Sequence, residues 1–466
     1  MFENKPLGSL IKSKSKQKSE FLLKKHSTNA PRPAGLNLFL LAVVVLIGIY
    51  VVYVLSSSIY RKIANFSFLD FVWSLGSDLQ VTDGRTNFLF MGKGGEGHDG
   101  PDLTDSMMLI SLGHRDKDIA FLSLPRDLYV NIPRYGNGRI NMAYYYGKQL
   151  YGDKEAYRLP VEVVEKVLNI KIHYYGLVDF KGFEKVVDEV GGVKVEVDNS
   201  FTDYQYPDGN HGWKTISFQK GWQEMDGKTA LEFARSRHSQ EMGEGNDFGR
   251  AKRQQKVITA LKDKLFTKTI ITDPNKIKMF YEILKSYFET NMQLREILSL
   301  GRFFKDFEQS NIRHFVITDG TYGLLYAPDE ALRASNYQGA YVLEPKRGNF
   351  KDIQIFVDLI FNHGAIYNEN AKLEVLNGTG RSGAGDSCQE RLKSFGLNVI
   401  NAADTDQNRV YRGTIIHDHT DNSYPNTAST LIDLLNAAPV VETFEEKPTQ
   451  ADITIILGQK DGCAVK

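Results

Sequence analysis

The stretch MMLISLGHRDKDIAFLSL, residues 107–124, decides the fold of the larger part of this chain. Its two apolar runs, Met107–Leu112 and Ile119–Leu124, flank the polar segment GHRDKD, which predicts a hairpin of buried strands. Upstream, TNFLFMG (Thr86–Gly92) alternates and stops at glycines, as another strand does. Because helical patterns such as VEVVEKVLNI (Val161–Ile170) follow, we predict an α/β domain whose mixed central sheet is flanked by helices.

The charge distribution excludes some classes of partner. The chain has 466 residues, of which 57 are basic and 57 acidic. Residues 1–35 hold eight basic and two acidic residues, which leaves 49 basic and 55 acidic among the other 431, a formal charge of −6. A nucleic-acid-binding domain would be basic, so we predict no nucleic-acid partner. Two cysteines, Cys388 and Cys463, are too few for a disulfide framework, and their pairing stays open.

A long apolar segment follows the basic tail. Leu36–Leu55 has 20 residues without a charge, so as a helix it would span about 30 Å, the thickness of a hydrocarbon core. A cleaved signal peptide is the alternative, but its apolar region would be only about 7–15 residues long. Because basic flanks stay cytoplasmic, we predict a protein of the cell membrane that crosses the lipid bilayer once, with its amino terminus in the cytoplasm and its later domains outside.

A second region of alternating strands and helices starts near KLEVLNGTG. We therefore predict the following organisation: a cytoplasmic basic tail (1–35), a transmembrane helix (36–55), a stalk (56–84), a first α/β domain (85–345), a linker (346–370) and a small second α/β domain (371–460).

The segment NDFGRAKRQQKVITALKDKL, residues 246–265, predicts a helix with one buried face, formed by Val257, Ile258, Leu261 and Leu265. Arg250, Arg253 and Gln254 fall on this same face, because they precede Val257 by seven, four and three residues. Since buried charge is costly unless it is paired, something anionic should meet these arginines. The alternative is an internal salt bridge, for example to Asp247.

Further arginines occur in separate elements. Arg126 follows the strand that ends at Leu124, and Pro125 directs it and Asp127 to the carboxyl edge of the sheet. Arg235 and Arg237 are two residues apart, so they can reach one site only if their helix ends there. The planar guanidinium suits phosphate, and the set suggests a pyrophosphate or other di-anionic ligand. The alternative is a scatter of surface arginines.

Acids accompany these arginines. The glycine-rich loop of residues 92–106 carries Glu96, Asp99, Asp102 and Asp105. Carboxylates beside phosphate-binding arginines would hold Mg²⁺, which prefers oxygen ligands. A flexible acidic loop without a metal is the alternative.

These motifs resemble the LytR–CpsA–Psr family of bacterial cell-wall glycopolymer ligases. The resemblance covers about residues 86–345, and the segment from KLEVLNGTG onward looks like the LytR C-terminal domain. The matching segments are TNFLFMG, TDSMMLISL, IAFLSLPRDLYVNIP, GRINMAYYYG, YYGLVDFKGFEKVVDEVGGVKVEV, GWQEMDGKTALEFARSRH and DFGRAKRQQKVI.

The resemblance implies a phosphotransferase whose partners are a polyprenyl-pyrophosphate-linked glycopolymer, a peptidoglycan acceptor and the lipid bilayer, with Mg²⁺ as cofactor. The polyprenyl tail would enter an apolar tunnel between the sheet and its helices. The family's pyrophosphate-binding positions are matched by Arg126, Arg235, Arg237 and Gln254, with Arg250 and Arg253 on the same DFGRxxRQ helix; Asp105 matches an acid at the family's magnesium site.

Two departures from the family pattern concern the metal. Where family members often have Gly-Ser-Asp-x-Arg after the first strand, this chain has Gly92-Lys93-Gly94-Gly95-Glu96, so one metal carboxylate is missing from its usual place, and Leu103 replaces the arginine of the family's Arg-Ser-Asp-Thr motif. We expect Asp102 to supply the missing carboxylate, with Glu96 and Asp99 as alternatives. Asp127 or Asp247 would accept the hydroxyl proton, although Asp247 could equally cap its helix. A lipid-pyrophosphate hydrolase and a non-catalytic wall-binding or regulatory scaffold are the competing hypotheses.

Overall fold

The computed structural model describes residues 79–95, 100–208, 212–241, 243–245, 247–265, 274–305, 311–439, 450–460 and 463. The chain divides into two units, residues 1–67 and 68–466, and every described residue belongs to the second unit. The predicted tail, membrane span and most of the stalk therefore lie outside the described residues. None of the helices within the described ranges is long and apolar enough to cross a bilayer.

Strands and helices alternate along the described chain. The strands are β1 Arg85–Lys93, β2 Thr104–Gly113, β3 Asp118–Leu124, β4 Tyr129–Ile132, β5 Gly136–Arg139, β6 Tyr174–Asp179, β7 Val193–Val197, β8 Phe201–Pro207, β9 Trp213–Phe218, β10 Gly221–Met225, β11 Phe288–Thr290, β12 Ile312–Val316, β13 Leu325–Tyr326, β14 Glu344–Pro345, β15 Leu373–Asn377, β16 Val399–Asp404, β17 Ile415–Asp418, β18 Ala438–Pro439 and β19 Ile453–Leu457. The helices are α1 Ala143–Tyr151, α2 Arg158–Leu168, α3 Phe180–Glu189, α4 Gly227–Arg235, α5 Asp247–Leu265, α6 Pro274–Tyr287, α7 Leu294–Lys305, α8 Glu330–Asn336, α9 Lys351–Asn362, α10 Ala365–Glu369, α11 Ala384–Ser394 and α12 Pro425–Leu435.

The first domain is built on a six-stranded mixed sheet in the order β11-β6-β1-β2-β3-β12. The predicted hairpin is confirmed: β2 and β3 pair antiparallel, with Met107 opposite Leu124. β1 pairs antiparallel with β2 and parallel with β6, and β12 runs parallel to β3. Because β2 runs against its neighbours, its first residues lie at the same edge as the last residues of β1 and β3.

Both faces of this sheet are buried, as the continuous apolar runs of β2 and β3 require. Leu89 and Met91 belong to a core that includes α2 and α9, whereas Phe88 belongs to a separate core with Phe303 of α7. Alternate residues of β1 thus face opposite helical layers. The domain is therefore a mixed α/β structure with helices on both faces, as the sequence predicted.

A smaller lobe extends from the first sheet. It contains the two-stranded pairs β7–β10 and β8–β9, whose core packs against α3, α4 and α5. Val257 of α5 and Phe233 of α4 both lie in this core. Helix α5 consequently contacts the main sheet through Ile258 and the lobe through Val257.

The C-terminal unit is a small α/β domain, as predicted, with a five-stranded sheet in the order β16-β15-β19-β17-β18. Cys388 on α11 forms a disulfide with Cys463, which closes a loop with a sequence separation of 75 residues. Arg391 donates a hydrogen bond to the Cys463 carbonyl (2.7 Å) and forms an ion pair with Asp352 of α9. The disulfide and Arg391 thus hold Cys463 against α11, and the same arginine links α11 to α9.

Candidate active site

One arginine and two carboxylates meet where β3 ends and β2 begins. Pro125 ends β3, and Arg126 then donates from Nη1 to Asp105 Oδ1 at 3.1 Å and from Nε to Asp127 Oδ2 at 3.4 Å. Asp127 is only 6% exposed. Because two carboxylates hold its guanidinium, Arg126 keeps one orientation at the edge of the sheet.

A second arginine joins this cluster from β5. Arg139 Nη1 donates to Asp127 Oδ1 at 3.2 Å, so each oxygen of Asp127 accepts from a different guanidinium. Asp127 therefore bridges and positions two arginines. A carboxylate engaged in this way is poorly placed to accept the proton of an incoming hydroxyl, the role expected for it from the sequence.

Asn141 lies beside Asp105 and is 2% exposed. Its Nδ2 lies 3.5 Å from Asp105 Oδ1, while its buried Oδ1 has no hydrogen-bond partner. If the Asn141 amide were flipped, its Oδ1 would face the Asp105 carboxylate, and two acceptors would meet. The carboxylate therefore selects the orientation in which Nδ2 faces it and Oδ1 is left unsatisfied. A buried acceptor without a donor costs about 1–3 kcal/mol, which points to an external group that completes the pair.

The carboxylate of Asp105 and the side-chain oxygen of Asn141 fit Mg²⁺. In phosphate-binding sites this ion takes only one or two protein carboxylates, together with substrate phosphates and water. Among the residues that the structure describes, no three His, Cys, Asp or Glu side chains cluster to hold a metal ion. A magnesium ion here would therefore depend on the phosphate groups of a ligand as well as on Asp105 and Asn141.

A cavity of about 280 Å³ opens next to this cluster, between the sheet and α5. Asp105, Arg250 and Gln254 line its polar part, and Gln254 Nε2 donates to Ser106 Oγ at 2.8 Å. Its apolar lining comes mostly from the ends of β2, β3 and β12 and from α5, and comprises Met107, Leu124, Pro125, Ala251, Val316, Ile317 and Leu343. The cavity thus combines a cationic, hydrogen-bonding part with an apolar part, as a phosphorylated lipid requires.

Arg235 and Arg237 lie at the end of α4. The helix ends at Arg235, and Ser236 adopts extended backbone angles (φ −53°, ψ 139°). The sequence required the helix to end here if Arg235 and Arg237, two residues apart, were to reach one site. The Arg235 guanidinium stacks over Phe180, 3.8 Å from the ring centroid, and lies 3.4 Å from the Tyr206 hydroxyl. Burial raises the pKa of Tyr206 to about 12, so its hydroxyl stays neutral beside the arginine.

Asp203 fixes the turn after α4. Its Oδ2 accepts from the Ser236 hydroxyl at 2.8 Å and from the Arg237 N–H at 3.0 Å. Burial alone would raise the pKa of the Asp203 carboxyl, but the hydrogen bonds from Ser236 and from backbone N–H groups lower it below its usual value. Asp203 therefore carries a buried negative charge that holds the backbone of Arg237.

Arg253 faces away from the cavity lining and into the lobe. It is 3% exposed, donates to Glu244 Oε2 at 2.7 Å and to the Phe233 carbonyl at 2.9 Å, and contacts the Ser236 carbonyl. Burial lowers the pKa of Arg253, and Glu244 opposes that shift. The internal salt bridge that the sequence left open is thus what the structure shows for this arginine, with Glu244 rather than Asp247 as the partner.

Asp102 pairs with a lysine. Lys148 Nζ lies 3.1 Å from Asp102 Oδ2 and 3.2 Å from Asp153 Oδ1, and the hydrogen bond with Asp102 raises the pKa of Lys148. The structure therefore holds Asp102 by an ion pair rather than beside the arginines. The side chain of Asp247, and residues Glu96 and Asp99, lie outside the described residues.

The structure brings Asp105, Arg126, Asp127, Arg250 and Gln254 to one edge of the sheet. The sequence reasoning missed Arg139 and Asn141, whose only signal was the segment GRINMAYYYG within the resemblance. It also missed Asp203, which no local pattern connects to α4.

Comparisons with known proteins place two segments of the chain in known families. The LytR_cpsA_psr family matches residues 66–353, and the family described as LytR cell envelope-related transcriptional attenuator matches residues 370–460. The regulatory protein MsrR of Staphylococcus aureus (strain COL) is 33% identical over 222 residues, 47% of this chain and 60% of MsrR. The polyisoprenyl-teichoic acid–peptidoglycan teichoic acid transferase TagV of Bacillus subtilis (strain 168) is 34% identical over 241 residues, 50% of this chain and 56% of TagV.

The matches to these curated relatives span about 60% of the relatives' own length. The crystal structure of B. subtilis TagV covers 60% of this chain and 99% of its own, with 28% identity and a TM-score of 0.45. Since the family match spans more than half of the sequence, the chain belongs to the LytR–CpsA–Psr family, and its residues 370–460 form a LytR C-terminal domain.

Proposed function

We propose that this protein is a phosphotransferase that attaches a polyprenyl-pyrophosphate-linked glycopolymer to peptidoglycan on the outer face of the cell membrane, where the segment 36–55 anchors it. The observation that carries the proposal is the cavity in which Asp105, Arg250 and Gln254 lie beside an apolar part formed by residues such as Met107, Leu124 and Val316. TagV, a relative of this chain, is itself named a teichoic acid transferase.

In the proposed reaction, the pyrophosphate lies at the edge of the sheet and the prenyl chain starts into the apolar part of the cavity. Arg126 and Arg250 bind the phosphate oxygens, and Gln254 donates a hydrogen bond to them. A hydroxyl of peptidoglycan attacks the phosphorus next to the sugar, and the lipid phosphate leaves. Charge that develops on the phosphate oxygens is stabilised by guanidinium groups that Asp105 and Asp127 have already oriented.

Reconstituted protein tests this proposal. The full chain in lipid nanodiscs, given Mg²⁺, a labelled lipid-linked glycopolymer and peptidoglycan, is expected to release lipid phosphate and to label peptidoglycan in equal amounts. Muramidase digestion and mass spectrometry would identify the phosphodiester. Free glycopolymer phosphate without labelled peptidoglycan would instead establish the hydrolase, and binding of the lipid without either product would establish the scaffold.

The cofactor in this proposal is Mg²⁺, held by Asp105 and Asn141 together with substrate phosphates. When bound, the ion neutralises negative charge on phosphate oxygens. In the presence of inorganic pyrophosphate, Asp105→Asn is expected to weaken Mn²⁺ binding at least about tenfold, because a ligand charge is lost. Electron paramagnetic resonance of free Mn²⁺ measures this change without any catalytic turnover.

Asp102→Asn is the matched control, since it removes a nearby carboxylate that Lys148 already neutralises. Its Mn²⁺ affinity is expected to stay within about twofold of the wild type. Equal weakening by both substitutions would show instead that Asp102 is a ligand, as the sequence predicted.

A further inference from the structure

The segment that follows β12 contributes Thr318 and Asp319 to the lining of the cavity. Backbone hydrogen bonds fix it: the Ile317 N–H donates to the Ser123 carbonyl at 3.1 Å, and the Leu325 N–H to the Thr318 carbonyl at 3.0 Å. Asp319 is exposed at the surface yet follows a strand end, so its backbone position is determined by the sheet.

The carboxylates around the candidate site differ in what they contact. Asp105 pairs with Arg126, Asp127 with two arginines, and Asp102 with Lys148. Of the two acids that line the cavity within the described residues, only Asp319 has no ion pair and no side-chain hydrogen bond. A group that accepts a proton from a substrate must offer a lone pair within hydrogen-bond reach. Asp105, Asp127 and Asp102 are each engaged by a cation, whereas no ion pair in the part of the chain that the structure describes engages the carboxylate of Asp319.

We propose that Asp319 is the carboxylate that accepts the proton of the acceptor hydroxyl, an inference that rests on the proposed function. The hydroxyl oxygen forms a bond to the phosphorus next to the sugar, and its proton passes to a carboxylate oxygen of Asp319. The bond from that phosphorus to the bridging oxygen breaks, and the lipid phosphate leaves with the electron pair. Asp319 then loses the proton to water, because its side chain is exposed.

The cavity brings donors and acceptors together. Arg250 and the side-chain N–H groups of Gln254 offer hydrogen-bond donors to the pyrophosphate, whereas the Asp319 carboxylate offers acceptors in the same cavity. In the proposed arrangement, the acceptor hydroxyl donates to Asp319 while its oxygen faces the phosphorus that the cations hold. Asp127, whose two oxygens each accept from an arginine, acts as a positioning residue for Arg126.

Asp319→Asn and Asp319→Ala test the inference in the full chain. Both are expected to lower the single-turnover rate of transfer to peptidoglycan about 100-fold, the usual contribution of a general base. Affinity for a short polyprenyl pyrophosphate, measured by calorimetry, is expected to stay within about twofold, because the carboxylate does not contact the phosphates. Added formate should restore part of the rate of Asp319→Ala, because a small carboxylate can enter the vacated space.

The matched control is Glu330→Gln, which neutralises an exposed acid at the start of α8 in the same segment. Its transfer rate is expected to equal that of the wild type. Unchanged transfer by Asp319→Asn would overturn the inference, as would a parallel loss of pyrophosphate affinity, which would show that Asp319 shapes the binding site instead. If wild-type protein binds the lipid but never labels peptidoglycan in the same assay, the proposed function itself fails.

Discussion

Replacing Arg126 with alanine is expected to slow glycopolymer transfer about 1,000-fold while leaving the protein folded. Arg126 is the one described arginine that contacts both Asp105 and Asp127, so its loss removes the proposed phosphate-binding cation and leaves Asp105 without its ion pair, while Asp127 keeps Arg139. The uncompensated charge of Asp105 would also repel the pyrophosphate. Single-turnover kinetics with labelled lipid-linked glycopolymer, together with thermal unfolding, measures both effects.

Arg115→Ala is the control for this substitution. Arg115 lies in the turn between β2 and β3, its side chain is 90% exposed, and it pairs only with its neighbour Asp116. Its removal is expected to change neither the rate nor the stability. If Arg126→Ala slowed transfer no more than Arg115→Ala, the guanidinium would have no part in stabilising the transition state.

Replacing Arg253 with methionine is expected to lower the free energy of unfolding by about 3–5 kcal/mol. The substitution keeps an unbranched side chain in the space but leaves the Glu244 carboxylate and the carbonyls of Phe233 and Ser236 without their donor. Urea unfolding, followed by tryptophan fluorescence, measures the change because Trp213 and Trp222 lie on strands of this lobe. Pyrophosphate affinity of the folded variant is expected to stay near that of the wild type.

Lys252→Met is the matched control on the same helix. Lys252 is exposed and pairs with Asp198 at 2.7 Å, so its loss is expected to change stability by no more than about 0.5 kcal/mol. A large fall in pyrophosphate affinity for Arg253→Met, with little loss of stability, would contradict the structural role and would favour the binding role predicted from the sequence.

Arg250 and Arg253 show how far the sequence could predict this site. Arg250 and Gln254 are four residues apart, and helical periodicity correctly places them on one face, where both line the cavity. Periodicity also placed Arg253 there, because it reports only that a side chain points away from solvent. Which buried acceptors receive Arg253 depends on Glu244 and on the end of α4, which meet α5 only in the folded lobe.

The strands were predictable because burial of both sheet faces leaves continuous apolar runs at residues 107–112 and 119–124. Arg139, Asn141 and Asp319 lie instead at the ends of elements or in loops, where no periodic pattern exists. Their positions follow from the order of strands in the sheet, since β12 lies next to β3 only through tertiary pairing. Local sequence therefore cannot connect Asp319 to Arg250.

The covalent link between Cys388 and Cys463 affects what proteolytic cleavage does to the C-terminal unit. It makes the chain between these two positions a closed ring, because both ends are bonded through sulfur. After one proteolytic cut within the ring, the two fragments therefore stay attached to each other through sulfur. Such a single cut separates them only when the disulfide is reduced as well.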